Sequence, residues 1–233
     1  MCSDTPGYIA VQDLGLTSYR DTWDLQYRTV DSVQKGGCEY LYLNEHRHVY
    51  TLGKHGHREN LLMIPKDAEV IRIDRGGDIT YHGPGQLVVY PIISLHNHHL
   101  GVKAYVDILE ETVIRTLADY GIESGRVEGA TGVWLGIGTP RERKICAIGV
   151  RVSRGVTMHG FALNVNTDLS RFSAINPCGF TDKGVTSLAL ELGRPADLQA
   201  VKRRVVHHFL SLLSPSPLLV EPSPSRRHQS GEA

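Results

Sequence analysis

The spacing of apolar positions along the chain predicts three helices. From Ser18 to Lys35, apolar side chains recur every three or four residues and two glycines follow, which is typical of an amphipathic helix stopped by glycine. The same spacing predicts helices over about 103–120, where Gly121 ends the pattern, and over about 196–213. Each predicted helix has one apolar face, so each must pack against another part of the fold.

Short segments with strand character lie between these helices. Three precede the second helix and are separated by glycine-rich loops, and three follow it with loops of hairpin length. Because hairpin loops join antiparallel neighbours, we expect an α/β protein of the α+β type, with a mixed, largely antiparallel sheet packed with helices. The six segments span residues 39–45, 68–74, 86–93, 131–137, 143–152 and 155–165.

Composition narrows the class of protein. A chain of 233 residues with 41% hydrophobic content can bury one sizeable core, so we expect a single domain over 1–213, followed by a disordered Pro/Ser-rich tail over 214–233. Lys plus Arg equals Asp plus Glu at 25 each, which points to neither nucleic acid nor an anionic membrane as partner. With no export signal and no apolar run long enough for a bilayer, the sequence predicts a cytoplasmic protein.

The cysteines and histidines give weak metal signals. Four cysteines, at 2, 38, 146 and 178, form no pair at the close spacing of zinc knuckles or redox dithiols, and we expect no disulfide. The twelve histidines lack the spacing of known zinc sites, and no phosphate-binding loop occurs. We therefore expect neither a metal nor a cofactor.

Two of the thiols stand in different settings. Cys146 lies in the apolar run "ICAIGV", where a cysteine is usually inert packing, although strand alternation would put it on the same face as Lys144. Lys144 stands at the mouth of that strand, where partial burial would lower its pKa. Cys178 lies between a proline and a glycine, a setting that fits either turn filling or an exposed reactive thiol.

One loop has an unusual glycine content. Residues 74–90, "DRGGDITYHGPGQLVVY", carry four glycines between two predicted strands. Glycine lets backbone approach a ligand closely, but a long hairpin connection would also need glycines for its turns. Both interpretations stay open on loop composition alone.

Four blocks occur in order along the chain: "RGGDITYHGPGQ" at 75–86, "RKICAIGVR" at 143–151, "HGFALNV" at 159–165 and "INPCGF" at 175–180. Together they resemble the lipoyl(octanoyl) transferases, which move an octanoyl group from acyl carrier protein onto a lysine of lipoyl domains. The resemblance implies the fold of the biotin and lipoate protein ligase catalytic domain, with Cys178 as acylated nucleophile and Lys144 as its partner in a Cys/Lys dyad. It implies a substrate pocket lined by Arg75, Gly76, Gly77, Asp78, Ile79, Thr80, Tyr81, His82, Ala147, Ile148, Gly149, Gly160, Phe161 and Ala162.

The chemistry suits these residue types. A thiol keeps a transferred acyl group activated as a thioester, and an ammonium nearby favours the thiolate. His82 and His159 lie in matching blocks and are expected to position substrate rather than to replace Lys144.

The implied partners are acyl carrier protein loaded with octanoate, the lipoyl domains of 2-oxoacid dehydrogenase complexes and the glycine cleavage H protein. Candidates for a basic carrier-binding patch are Arg141, Arg143, Arg151 and Arg154.

Two other functions remain open at this stage. An ATP-dependent lipoate or biotin protein ligase of the same broad fold would activate its acid as an adenylate and would need no cysteine. A non-catalytic binding module would use Cys178 only as turn filling. Acylation of Cys178 would separate the transferase from both.

Overall fold

The structure is a computed structural model, and it describes residues 8–176 and 184–213. Three of its helices begin and end within two residues of the predicted bounds, which confirms them. The Ser18 side chain caps the first helix by accepting a hydrogen bond from the backbone N–H of Asp21. A further five-residue helix is too short to show helical periodicity in the sequence. The helices are α1 (Tyr19–Gln34), α2 (Val102–Ala118), α3 (Leu188–Leu192) and α4 (Leu198–Leu213).

Eleven strands lie in these described ranges, and they include all six predicted segments. The first strand was not predicted because its apolar pattern is interrupted by polar residues and by Gly15. The other unpredicted strands have only two to four residues. The strands are β1 (Ile9–Thr17), β2 (Glu39–His46), β3 (Val49–Leu52), β4 (Glu69–Arg72), β5 (Ile79–His82), β6 (Gln86–Ile92), β7 (Gly125–Val127), β8 (Ala130–Leu135), β9 (Arg143–Ser153), β10 (Val156–Asn164) and β11 (Gly184–Val185).

The strands form a large and a small sheet. The large sheet has the order β1-β2-β6-β10-β9-β8-β7, and β11 pairs in parallel with the start of β9. The β1–β2 pair is also parallel, whereas the other pairs of this sheet are antiparallel. The small sheet has the order β4-β3-β5. The prediction of a mixed, largely antiparallel sheet with helices is therefore confirmed.

Helices cover both faces of the large sheet. On β6, Leu87 and Val89 belong to the core cluster that includes α2 and α4, whereas Val88 and Tyr90 belong to a second cluster with α1. This alternation follows from the two-residue period of a strand. Because both faces are covered, every residue of β6 is buried.

Two expectations concern features outside this core. No helix in residues 8–176 and 184–213 is long and apolar enough to cross a membrane. The expectation of no disulfide is wrong for Cys38, which is disulfide-bonded. Sequence spacing is a poor guide here because disulfide formation depends on the distance between two Cβ atoms in the folded chain.

Candidate active site

A cavity of about 560 Å³ lies between the two sheets. One wall comes from β5 and the glycine-rich turn before it, and the opposite wall comes from β6, β9 and β10. Val88, Tyr90 and Ala162 line it, so the cavity lies on the face of the large sheet that α1 also covers. Its size is typical of sites for small molecules and cofactors.

Thirteen of the fourteen residues predicted to bind substrate line this cavity, together with Lys144. The exception is Tyr81, which the structure places away from it. Because side chains alternate along β5, Tyr81 points to the opposite side from Thr80 and His82. Its hydroxyl lies 2.7 Å from His48 Nδ1 and its ring packs 5.2 Å from that of Tyr50. Tyr81 therefore stabilises the small sheet, and the role of the other thirteen in binding stays a prediction.

Arg75 is a buried cation in the cavity wall. Its Nη2 donates to the carbonyl oxygen and the Oγ1 of Thr51, at 2.9 and 3.0 Å, and its Nη1 donates to Gly76 O at 2.9 Å. The turn that follows requires Gly77, whose φ of +85° lies in the left-handed region. The guanidinium is thus fixed by backbone and hydroxyl acceptors and places a positive charge beside the cavity.

His82 begins a chain of buried amides across the large sheet. Its Nδ1 lies 2.8 Å from Gln86 Oε1, and Gln86 Nε2 donates to Asn164 Oδ1 at 2.9 Å. Asn164 Nδ2 then donates to Thr186 O at 3.0 Å. Burial, together with the charge of Arg75, lowers the pKa of His82 to about 3, so the imidazole is neutral near pH 7. Since the Gln86 oxygen only accepts, the Nδ1 of His82 carries the proton.

His159 occupies a strained backbone position in the cavity wall. Its φ is +61°, which is uncommon for a residue other than glycine, and its backbone N–H donates to Gln26 Oε1 at 2.9 Å. Nε2 of His159 lies 2.9 Å from Asp74 Oδ1. Burial lowers the pKa of His159, and the Asp74 carboxylate only partly opposes this effect. A strained residue held by one buried and one partly buried hydrogen bond is typical of a functional position.

Asp74 is a site residue that the sequence prediction missed. Burial by itself would raise the pKa of its carboxyl, but hydrogen bonds from His159 and Tyr27 and the charge of Arg151 outweigh burial and hold the pKa well below its usual value. The carboxylate is therefore ionised and fixes the orientation of the His159 ring. Its only sequence signal was its place immediately before the glycine-rich block.

Lys144 extends into the other part of the cavity from the start of β9. Its Nζ lies 4.5 Å from the centroid of the Trp134 ring and donates to Thr131 O at 3.3 Å. An indole face attracts an ammonium through its quadrupole, and a carbonyl accepts one of its three N–H donors. Both groups come from β8, so β8 determines where the amine of Lys144 lies.

A bulge between β8 and β9 separates Lys144 from Cys146. Val133 pairs with Cys146 and Trp134 pairs with Lys144, so β9 has one residue more than β8 between the two pairs. As a result Ile145 and Cys146 both lie in the main core cluster although they are consecutive. The expectation that Lys144 and Cys146 share a face is wrong, because simple alternation does not hold across a bulge.

Glu110 supports this bulge from α2. Gly132 on β8 has a φ of +129°, and a Cβ there would lie 2.5 Å from Cys146 O, so only glycine fits. The Gly132 N–H donates to Glu110 Oε1 at 3.0 Å. The other carboxylate oxygen accepts from Arg126 Nε at 2.9 Å. The buried Glu110 carboxylate therefore holds the segment that carries Thr131 and Trp134.

The two candidate thiols have different outcomes. Cys146 is fully buried, does not line the cavity, and its pKa is raised by burial despite the nearby Lys144 charge. This agrees with the interpretation of Cys146 as inert packing. Cys178, the predicted nucleophile, lies outside the described residues, so its role stays a prediction. The described chain resumes at β11, where Val185 pairs with Lys144.

Comparison with known proteins identifies the family to which this chain belongs. The chain matches the model of the lipoyl protein ligase A/B catalytic domain over residues 18–210. It is 53% identical over 222 residues to an octanoyltransferase of Flavobacterium johnsoniae. The matched region covers 88% of this chain and 96% of that relative. An octanoyltransferase of Bacteroides thetaiotaomicron is also 53% identical, over 83% of this chain and 90% of the relative. The chain belongs to the octanoyltransferase family.

Solved structures show that the octanoyltransferase family shares its fold with ligases. A bipartite lipoate protein ligase of Thermoplasma acidophilum superposes with a TM-score of 0.68 at 18% identity, covering 89% of this chain and 83% of the ligase chain. Biotin protein ligase of Aquifex aeolicus gives a TM-score of 0.51 at 15% identity, over 88% of this chain and 70% of the other. At these identities the likeness shows the fold alone, and it confirms the expected architecture.

Several cavity residues of this octanoyltransferase-family chain were not predicted. Gln86 and Asn164 lie inside two of the quoted blocks, so the blocks could have revealed them. Tyr19, Tyr90 and Trp134 gave no motif signal, because their positions depend on which strands and helices become neighbours.

The histidines and arginines are dispersed in the structure. Within residues 8–176 and 184–213, no group of three or more His, Cys, Asp or Glu side chains is arranged to hold a metal ion. Of the predicted arginine patch, Arg143 is bound by both oxygens of Glu191, at 2.8 and 2.6 Å, and Arg151 pairs with Asp74. Arg141 and Arg154 remain exposed. Two of the four predicted arginines are therefore occupied by carboxylates of this chain.

Proposed function

We propose that this protein transfers an octanoyl group from octanoyl-acyl carrier protein to a specific lysine of lipoyl domains, through a thioester on Cys178. The observation that carries the proposal is the placement of the Lys144 amine in a cavity lined by the glycine-rich block. The curated relatives named octanoyltransferases, at 53% identity, support acyl transfer as the reaction. The acceptors are the lipoyl domains of 2-oxoacid dehydrogenase complexes and the glycine cleavage H protein.

In the first half-reaction the Cys178 sulfur attacks the thioester carbonyl of the donor. A new carbon–sulfur bond forms, the bond to the carrier sulfur breaks, and the carrier thiolate leaves. A free cysteine with a pKa near 8.5 is only a few per cent thiolate at neutral pH, so a partner that takes its proton accelerates the step. Lys144 is that partner: as a neutral amine it accepts the thiol proton, and as an ammonium it delivers a proton to the leaving carrier thiolate.

In the second half-reaction the acceptor lysine attacks the Cys178 thioester. A carbon–nitrogen bond forms, the Cys178 thiolate leaves, and the nitrogen loses one proton. Lys144 relays this proton to the thiolate, which restores the starting state. Arg75, His82 and His159 act as positioning residues in the cavity wall, and no metal or cofactor is needed because the donor is already activated.

The apolar part of the cavity suits the acyl chain. Val88, Ala147 and Ala162 line it, and burying a hydrocarbon chain against such residues contributes roughly 0.8 kcal/mol for each methylene group. The polar part, around Arg75 and His82, suits the thioester end and the arm that carries it. We infer a preference for an acyl chain of eight carbons from the relatives that are named octanoyltransferases.

The alternative is an ATP-dependent lipoate or biotin ligase. The two ligases described above are 18% and 15% identical to this chain, whereas the two octanoyltransferases are 53% identical, which favours transfer from a thioester. A ligase would release pyrophosphate from ATP when given free octanoate. A transferase requires neither ATP nor the free acid.

Intact-mass measurement tests the proposal. After incubation with octanoyl-acyl carrier protein, the chain should gain the mass of one octanoyl group, which hydroxylamine removes. The adduct should be absent in Cys178→Ser and present in Cys146→Ser. An adduct that persists in Cys178→Ser, or pyrophosphate release dependent on free octanoate, would refute the thioester mechanism.

A further inference from the structure

One surface segment combines exposed apolar side chains with positive charge. Leu62, Met63 and Ile64 are consecutive, and these residues are 65%, 61% and 52% exposed. Runs of exposed large apolar residues are uncommon on soluble proteins and mark interaction sites. We call residues 54–66 the apolar-basic segment.

The charge of the apolar-basic segment differs from that of the whole chain. Lys54, Arg58 and Lys66 are exposed and Glu59 is the one carboxylate, a net charge of +2 with histidines neutral, whereas the full chain has net charge zero. In the part of the chain that the structure describes, no ion pair joins these three cations to a carboxylate. Asp67, which follows the segment, is already bound by an arginine at 2.8 Å. The cations are thus available to a partner.

Hydrogen bonds fix the apolar-basic segment to the cavity rim. The Asp78 carboxylate, which lines the cavity, accepts from Asn60 Nδ2 at 2.6 Å and from the His57 N–H at 3.3 Å. The backbone N–H of Lys54 donates to Arg75 O at 3.0 Å. The segment therefore has a defined position relative to the glycine-rich wall.

The other side of the apolar-basic segment is joined to the chain that leads to Cys178. Asn60 O accepts from the Asn176 N–H at 2.8 Å, and Ala174 O accepts from the Leu62 N–H at 2.9 Å. Asn176 precedes Cys178 by two residues in the sequence. A partner bound to this segment would therefore lie between the glycine-rich wall and the residues that precede the predicted nucleophile in the sequence.

We propose that the apolar-basic segment is the docking surface for the acidic carrier protein that delivers the acyl thioester. The inference rests on the proposed function and names where its donor binds. A carrier with an acidic surface complements the three cations, which steer the encounter, while Leu62 and Met63 supply the dry centre of a small interface. This location differs from the arginine patch that the sequence suggested.

Donor-specific kinetics test the docking surface. Two double variants, Arg58→Glu with Lys66→Glu and Leu62→Ser with Met63→Ser, are assayed with octanoyl-carrier protein and with octanoyl-pantetheine, which has no protein surface. We expect kcat/KM with the carrier to fall about tenfold or more, mainly through KM, because interface charges and apolar anchors act on association and affinity. With octanoyl-pantetheine the change should stay below about twofold, which also shows that the variants fold. The charge variant should also lose most of the salt dependence of the carrier reaction.

Matched controls come from other exposed positions. Arg28→Glu on α1, and Arg141→Glu with Arg154→Glu, should change the carrier kinetics by less than about twofold. The proposal is overturned if the arginine pair shows the loss instead, if both donors lose activity equally, if only the KM of the lipoyl-domain acceptor rises, or if the variants only change the oligomeric state. If the unmodified protein uses neither donor, it is the proposed function that fails.

Discussion

The Nζ atom of Lys144 lies 4.5 Å from the centroid of the Trp134 ring, on the strand next to its own. An ammonium over an indole gains roughly 0.5–2 kcal/mol, according to how dry the site is. This contact and the bond to Thr131 O restrict a side chain that otherwise has four rotatable bonds. The position of the proposed proton carrier is therefore set by β8 as much as by β9.

Removing the Lys144 amine should slow acylation far more than weakening its contact with Trp134. Lys144→Met keeps an unbranched side chain only one atom shorter but cannot move a proton, and we expect its acylation rate to fall by about 10²- to 10⁴-fold. Trp134→Phe keeps a ring under the ammonium, and its effect should stay near or below about tenfold. Rapid-quench mass spectrometry of the acyl-enzyme measures both rates. Acylation of Lys144→Met at the unmodified rate would remove Lys144 from the mechanism.

Glu110 and Glu111 form a matched pair for testing the support of the bulge. Both carboxylates bind Arg126, but only Glu110 accepts from the buried Gly132 N–H. Glu110→Ala leaves that donor unsatisfied and should lower the free energy of unfolding by about 1–3 kcal/mol, with a loss of kcat. Glu111→Ala breaks only partly exposed pairs and should cost less than about 1 kcal/mol. Urea unfolding and steady-state rates decide the comparison, and equal costs would contradict the special role of Glu110.

His82 should make the protein less stable in mild acid. A histidine in the unfolded chain titrates near pH 6.5, whereas burial and Arg75 lower the pKa of folded His82 to about 3. Between these values the unfolded state binds more protons, so the stability present above about pH 6.5 is lost as the pH falls toward 3. His82→Gln removes this contribution.

The measurement is urea unfolding of both proteins between pH 7 and pH 4. The two stability curves should converge as the pH falls, by up to about 1.4 kcal/mol per pH unit below pH 6. The other buried histidines remain in both proteins, so the difference between the curves reports His82 together with its effect on the neighbouring His46. Parallel curves would show that His82 is not buried as a neutral imidazole.

Cys146 should be protected from alkylation in the folded protein. Its side chain is fully buried and burial raises its pKa, so the thiolate that reacts with iodoacetamide is scarce. Peptide mapping should find Cys146 unmodified under native conditions and modified in urea, while Cys146→Ala keeps acyl transfer. Rapid labelling of Cys146 in the native protein would contradict its place in the core.

The sequence predicted the long elements well because their periodicity is a local property. The three long helices show a repeat over enough residues to be recognised, whereas the nine-residue strand β1 was missed because polar residues and Gly15 interrupt its apolar pattern. Strand β3, "VYTL", is buried at all four positions and so has no alternation to detect. The small sheet that forms one wall of the cavity was missed in part for this reason.

The site was predictable where residues lie in continuous blocks and was not where it depends on pairing. The glycine-rich block carries Arg75 and His82 in a recognisable order, so these residues were identified from sequence. Glu110 and Trp134 become neighbours of Lys144 only through the α2 packing and the β8–β9 bulge. Tyr81 was assigned to the pocket because a block does not show which strand residues face inward.

The β8–β9 bulge also affects which of two thiols, Cys146 or Cys178, would react in the proposed transfer. Without the bulge, regular alternation would put Cys146 on the same face as Lys144, and the proposed reaction would have a second sulfur beside the same amine. In the proposed reaction, the choice between the two thiols would thus depend on backbone register, because the bulge makes Cys146 part of the core.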